Sequence, residues 1–434
     1  MMRTSRKPAR RLLVLELNEV NFGMLGRYID RGHLPAFAAF FARHGYTTTT
    51  SEAKYNDLEP WIQWVTAHTG MTLAEHGVFR LGDIVDTDHP QIWEQLAAKG
   101  FSVGAISPMN AKLRLHDPAF FIPDPWTPTG VVASATIKRM SRAIAQAVND
   151  NATASLTLVS SVGLAVGGAL TARPRNYPTY VRYVAQARSR PWFRSLFLDR
   201  LLADLFVQQV SRTGVEFATL FLNAAAHIQH RYMFNSPFYN GALRNPAWYV
   251  AANEDPLLDA YRLYDDILGE IVARFPDARI MLMTGLHQDP HPEVTFYWRL
   301  RDHSAFLRDI GAGFVAVEPK MSRDFLIRCA SPAEARATQA RLEAATLDGQ
   351  PLFTVDNRCD SLFVMLSFAD DIAPGAAAIA GNHRIDRFRD RVAFVAIKNG
   401  AHNGIGYFAD SGAPAGDAFE LRTMPDRIMA AMVA

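Results

Sequence analysis

Cysteine is nearly absent from this chain. Only Cys329 and Cys359 occur among its 434 residues. They build neither a disulfide framework nor a CxxC-type metal site. The pair suits a reducing compartment, and a cytoplasmic location is expected. An excess of one charge is also lacking. Lysine and arginine number 45 against 43 Asp and Glu, a net charge of +2. No basic stripe with interleaved aromatics is visible, so nothing points to nucleic acid. Long apolar runs are missing too. The basic start "MMRTSRKPARR" passes straight into "LLVLELN", too short and too soon charged for a signal-peptide core. The nearest thing to a membrane span is 155–172, "SLTLVSSVGLAVGGALTA", diluted by Ser, Thr and Gly. It reads as a buried or surface-lying helix, with membrane contact through it as the weaker alternative. No internal repeat occurs, and no nucleotide cofactor is expected.

What is present is an ordinary globular balance. Apolar residues make up 49% and charged residues 20%, enough to bury a sizeable core. "RLLVLELNEV" reads as a buried strand with a polar tip. "PWIQWVTAHTG" reads as a helix, with Pro60 at its first position and Gly70 just past its end. "QIWEQLAAKG" and "FSVGAIS" follow as helix then strand. Strands and helices therefore alternate, which predicts an α/β fold: a doubly wound, mostly parallel sheet with helices on both faces. From about Pro108 to Gly214, Pro-rich loops lead into helical stretches. The expected core is 11–107, 215–315 and 390–434, with a helical insertion or lid at 108–214. A small α+β subdomain is expected at 316–389.

The polar residues at the strand ends carry the candidate chemistry. Strand one ends in Glu16, Asn18 and Glu19, and Glu59 stands at the mouth of the Pro60 helix. "LFLNAAAHIQHRYMF" ends an apolar run with His227 and His230. These lie three apart, a spacing that can put two imidazoles on one helical face. His287, with Asp289 and His291 behind it, ends the next strand, and His402 and Asn403 follow the last. In a doubly wound sheet such carboxyl-end tips converge on one crevice. Converging imidazoles and carboxylates suggest one divalent transition metal: zinc, manganese or iron. Each also has a plain structural account, as a helix cap or a loop residue. His33, His44, His68, His76 and His89 are read as structural or solvated.

Six segments, in order, resemble the alkaline phosphatase superfamily in its phosphodiesterase/nucleotide pyrophosphatase-like branch. "LLVLELNEVNFGMLGRYIDRGHLPAFAAFFARHG" is similar to its opening strand, helix and "LPNLxxLxxxG" segment. "WVTAHTGMTLAEHGV" resembles "FxTGxxPxxHGI", and "AHIQHRYMF" resembles "DxxQHxFW". "RIMLMTGLHQ" lies where the family has "SDHG". "GAHNGIGYFADSG" resembles "GxHxxxGxFxxxG", and "FELRTMPDRIM" its closing helix. The resemblance implies a two-metal hydrolase fold with a Thr or Ser nucleophile at a helix N-terminus. His230 and His402 fall on metal-binding histidines of one site. The partner Asp of that site is Ala226 here, with His227 adjacent, and the first-strand Asp is Asn18. Gly285 and Leu286 replace both ligands of "SDHG", though His287 follows. The nucleophile position falls on Pro60.

The expected site is therefore a remodelled, mononuclear one. His227, His230 and His402 would hold the metal, with His287 and Glu16 adding to it. Glu59 and Asn18 are the catalytic candidates. Three functions stay open. The first is a metal-dependent hydrolase of a phosphoester or phosphodiester-like anion. The second is a mononuclear metal enzyme of different, biosynthetic or redox, chemistry. The third is a non-catalytic binding protein. The aromatic and apolar content of the insertion hints at a small anionic substrate that also carries an apolar group.

Overall fold

The structure is a computed structural model that describes residues 11–149, 168, 170–320 and 323–433. The expected surface-lying segment 155–172 lies largely outside the described residues. No helix among them is long and apolar enough to cross a membrane. The chain forms two compact units. The first comprises 1–241, 246–290 and 400–434, and the second 242–245 and 291–399.

The first unit is built on one large sheet. Its strands are β1 (Leu12–Leu17), β2 (Thr47–Thr50), β3 (Val103–Ile106), β4 (Phe120–Ile122), β5 (Phe217–Leu222) and β6 (Arg279–Met283). The chain then leaves along β7 (His287–Leu300). In the second unit β8 (Ala316–Pro319), β9 (Asp324–Arg328), β12 (Phe353–Arg358) and β13 (Ser361–Leu366) form one four-stranded sheet. There β10 (Ala345–Leu347), β11 (Gln350–Pro351), β14 (Ala378–Ala380) and β15 (His383–Ile385) form another. The chain returns along β16 (Val392–Asn403) to β17 (Ile405–Asp410) and β18 (Phe419–Glu420).

The large sheet runs β18-β2-β17-β6-β1-β5-β3-β4. β1 pairs in parallel with both β5 and β6, and β3 with β5 and β4, whereas β17 is antiparallel to β6 and β2. This is the mostly parallel, doubly wound sheet that the β/α alternation predicts. Three strands of this sheet are not foreseen in the sequence, among them β18, whose two residues open the stretch that reads as the closing helix. β4 comes from the stretch read as the start of the insertion. β2 is the run "TTTT", whose β-branched side chains favour a pleated edge region.

The helices used below are α1 (Phe22–Asp30), α2 (Pro35–His44), α3 (Pro60–Thr69), α4 (Ile92–Ala98) and α5 (Ala135–Asn149). They continue with α6 (Tyr177–Gln186), α7 (Phe193–Thr213), α8 (Ala224–Tyr232), α9 (Pro256–Arg274) and α10 (Met424–Val433). β1 is buried along its whole length because it is covered on both faces. Leu13, Leu15 and Leu17 point into one core with residues of α1, α2, α7, α8 and α9. Leu12 and Val14 point into the other, with Trp64 of α3, Trp93 of α4 and Ile428 of α10. The period-2 alternation of the strand thus divides one apolar run between two cores. All carboxyl ends of the parallel strands open toward one end of the sheet, and the chain places its polar tips there.

A candidate metal centre at the strand tips

Where β1 ends, the backbone turns sharply. Glu19 takes φ = 57°, in the left-handed region that a residue with a Cβ seldom adopts. Such a conformation costs about 1–3 kcal/mol and persists only where the surroundings enforce it. Here they do. The Glu19 N–H donates to the Thr284 carbonyl at 3.1 Å, and its own carbonyl accepts from Gln229 Nε2 at 2.6 Å. The turn directs the Glu19 carboxylate at two imidazoles. Glu19 Oε2 lies 3.1 Å from His230 Nε2 and 3.1 Å from His402 Nε2. The two Nε2 atoms are 3.2 Å apart. Three donor atoms therefore stand at the corners of a near-equilateral triangle.

The dimensions of this triangle fit a metal ion. An ion with ligand bonds of about 2.0–2.2 Å gives ligand–ligand edges of about 2.8–3.6 Å, from octahedral to tetrahedral angles. All three edges fall in that window. The donors are of the right chemistry, one carboxylate oxygen and two imidazole nitrogens. Among the described residues these three are the one group that brings three ligand atoms together. The carboxylate is buried, whereas the side chain of His402 is 12% and that of His230 34% exposed, so the cluster opens on its imidazole side. Burial alone would raise the Glu19 carboxyl. The charges of His230 and His402 outweigh it and hold the acid well below the usual carboxylate range.

A shell of amides fixes the carboxylate. Asn18 Nδ2 donates to Glu19 Oε1 at 2.9 Å and to Asn223 Oδ1 at 2.8 Å, while Asn18 Oδ1 accepts from Trp64 Nε1 at 2.7 Å. Gln288 Nε2 donates to Glu19 Oε2 and to the Ala226 carbonyl. Gln229, one residue before His230, accepts from the Tyr261 hydroxyl at 2.6 Å and the Asn21 N–H at 3.2 Å. Amides that donate to a ligand set its direction and tune its basicity. Gly400 makes room for this shell. The position a Cβ would take there lies 1.9 Å from Gln288 Oε1. Gly400→Ala should therefore push Gln288 off Glu19 and weaken metal binding on the order of tenfold. Competition with a chromophoric chelator measures this, and unchanged affinity would show that Gln288 does not support the site.

α8 carries His230 to the cluster. Its first turn is Ala224, Ala225 and Ala226, all buried, and their small side chains let the helix pack closely against α7 and α9. Asp199 of α7 anchors the start, accepting from the Ala224 N–H at 2.7 Å and the Tyr264 hydroxyl at 2.8 Å. Burial pushes the Asp199 carboxyl up to about 7, against the lowering effect of those two bonds. The folded state holds the proton more tightly than the unfolded chain, so this group's contribution to stability falls as pH rises from about 4 to 7. Asp199→Asn keeps an acceptor without the charge. Its stability relative to wild type should climb across that window in urea unfolding. A difference independent of pH would mean that Asp199 is ionised throughout.

The other residues singled out in the sequence lie as follows. His227 is half-buried on α8 and outside the triangle. Lost hydration and the neighbouring Arg231 and His230 hold it well below the usual histidine range. Glu16 points to the opposite face of the sheet, where its Oε1 meets His68 Nε2 at 3.1 Å. His287 is buried, with Nδ1 against the Ile405 carbonyl and Nε2 3.2 Å from Asp289 Oδ1. Asn403 Nδ2 donates to the other Asp289 oxygen at 2.7 Å. Glu59 sits at the N-cap of α3 with a side chain 36% exposed and Oε2 3.9 Å from His402 Nδ1. Asn18 is buried with both amide atoms engaged by protein. Glu19 reads in the sequence as a strand-tip residue and is not among the expected ligands. Its acidity beside the aligned Asn18 was the one available signal.

No family model matches the chain, and no curated protein matches it in sequence. Among solved structures it is similar to phosphonoacetate hydrolase from Sinorhizobium meliloti 1021 in complex with phosphonoacetate. The identity is 14%, over 98% of this chain and 96% of that one, with a TM-score of 0.47. It is also similar to murine ectonucleotide pyrophosphatase/phosphodiesterase 5, at 10% identity over 98% and 95% of the two chains and a TM-score of 0.40. A third is a mutant of TAB5 alkaline phosphatase with magnesium bound, at 10% identity over 98% and 99% and a TM-score of 0.42. All three are proteins of the alkaline phosphatase superfamily. The likeness runs along nearly the whole of each chain and assigns no chemistry to this one.

Proposed function

We propose that this chain is a metal-dependent hydrolase of a phosphoester, phosphodiester or related small anion, working with one divalent transition metal. The observation that carries the reading is the triangle of Glu19 Oε2, His230 Nε2 and His402 Nε2. A carboxylate and two imidazoles with an open side form a donor set used by catalytic zinc. Held there, such an ion supplies Lewis-acid polarisation of an anionic oxygen and activates water near neutral pH. The protein's own groups do the rest. Glu19 supplies the negative charge, Asn18 and Gln288 fix its direction, and His230 forms the exposed rim. Asn18 is a positioning residue in this reading, because its amide is spent on Glu19, Asn223 and Trp64. Pro60 stands where the resembled family has its hydroxyl nucleophile, so water would attack phosphorus directly: the new P–O bond replaces the bond to the leaving oxygen, which departs as an alkoxide or phenolate and takes a proton from solvent, and no covalent enzyme ester forms. Glu59, half exposed beside His402, takes up the proton of that water.

A second reading rests on the same donor set. Two histidines and one carboxylate also hold iron(II) in mononuclear redox enzymes. One experiment separates the two. The metal-free protein is loaded with zinc, manganese or iron and offered nitrophenyl phosphate mono- and diesters. Nitrophenolate release that His402→Ala abolishes supports hydrolysis. Dioxygen uptake confined to the iron form, without ester cleavage, supports the second reading. Failure to take up any of the three metals would overturn both and leave a binding protein.

A further inference from the structure

The chain is close to neutral as a whole, but one stretch is not. Residues 131–198 contain nine Lys and Arg against a single acid, Asp150. Within this stretch, α5 and α6 pack on the same core, through Ile137 and Met140 of one and Tyr180 and Tyr183 of the other. Three of the bases are internally used: Arg173 and Arg175 pair with Glu270, and Arg190 with Glu254. Arg139, Arg142, Arg182, Arg188 and Arg194 are exposed and have no carboxylate of a described residue within ion-pair distance.

The polarity of α6 is inverted. Tyr180 and Tyr183 face inward, and the Tyr180 hydroxyl donates to the buried Asp204 at 2.8 Å. Its valines face out. Val181 is 70% and Val184 59% exposed, with Tyr177 at 45%. At 100° per residue Val184, Tyr177, Val181 and Ala185 form one continuous outward stripe; Arg182 borders it with its guanidinium 5.3 Å from the Tyr183 ring centre, and Arg188 follows just past the end of the helix. Aliphatic side chains on the solvent face of a helix, rimmed by arginines, need a partner that is apolar within and anionic at its surface. Nucleic acid fits poorly, because valines offer no flat face for a base to stack on. No described helix can span a bilayer, but a helix lying in its interface needs only this pattern.

We infer that the outward face of α6, together with the exposed arginines of α5, docks this protein on an anionic lipid surface. The inference is independent of the hydrolase reading. Valines enter the acyl boundary, Tyr177 sits at headgroup level, and the arginines meet the lipid phosphates.

The test is co-sedimentation of the full-length protein with vesicles of phosphatidylcholine alone, or of phosphatidylcholine and phosphatidylglycerol in equal parts. Binding to the anionic vesicles only, weakened by salt, is expected. Val181→Asp with Val184→Asp should lower partition at least about tenfold. Arg139→Ser with Arg142→Ser, on the other helix, should lower it about 30-fold, from about 1 kcal/mol per base near an anionic surface. Thermal melts check that both double variants fold. No binding to anionic vesicles would overturn the inference, as would equal binding to both kinds or wild-type binding by both variants. Self-association or nucleic-acid binding that the same substitutions abolish would assign the face to another partner and overturn it equally.

Discussion

His402→Ala protein, purified beside wild type, should retain its fold and lose its metal. Wild type should carry about one transition-metal ion per chain, and the variant should bind it on the order of 100-fold or more weakly. The reason is the geometry of the triangle. Glu19 Oε2 and His230 Nε2 alone leave one edge of 3.1 Å and two donors. His230→Ala should behave alike, because each histidine provides one corner. Glu19→Gln sharpens the test. It keeps the size of the side chain and removes the charge, so metal should fall while the turn at residue 19 survives. Elemental analysis per chain is the measurement. Metal content equal to wild type in both histidine variants would mean that the triangle holds no ion. Where metal does bind, adding a chelator should lower the melting temperature, since an ion bound only by the folded state stabilises it.

Glu59→Gln should separate chemistry from binding. Ester turnover should drop by about 10²–10⁴-fold, the range for losing a positioned general base, while metal content stays near wild type. The helix below should be undisturbed. The bonds that start α3 run from the Ile62 and Gln63 N–H groups to the Glu59 carbonyl, and its side chain makes no capping bond. Two other outcomes discriminate. Unchanged turnover would remove Glu59 from the reaction. Loss of metal in step with turnover would make it an orienter of His402, acting through the 3.9 Å approach to Nδ1.

The parts of this molecule that sequence made legible are those governed by period and order. Alternation of strand and helix gave the parallel sheet, and polar residues at strand ends gave the end of it where the site lies. His230, on the helix that follows β5, and His402, just before β17, meet there from 172 residues apart in the chain. What sequence could not show were rotations of a single residue. "LLVLEL" is buried on both faces, so its pattern does not reveal which core Glu16 points into. It faces α3 and meets His68 instead of the metal triangle. Beyond the strand, one left-handed residue decides that the Glu19 carboxylate, and not the Asn18 amide, meets the histidines. A positive φ on a glutamate leaves no mark in composition or spacing. His227 has the right spacing but lies off the triangle, whose third corner comes from the turn after β1 and not from a further residue of α8.

The route of the backbone also sets a timetable. β17 lies between β2 and β6, yet the ribosome makes it only after the whole of the second unit. The five strands β6, β1, β5, β3 and β4 can pair while the nascent chain is still growing, but β6 then presents a raw edge and β2 has no neighbour to join. His402 emerges at the same late moment. A truncated product therefore carries both an unprotected strand and an unfinished metal centre. On the proposed reading, an ion held by all three ligands would mark a chain whose translation ran past the second unit and closed the sheet.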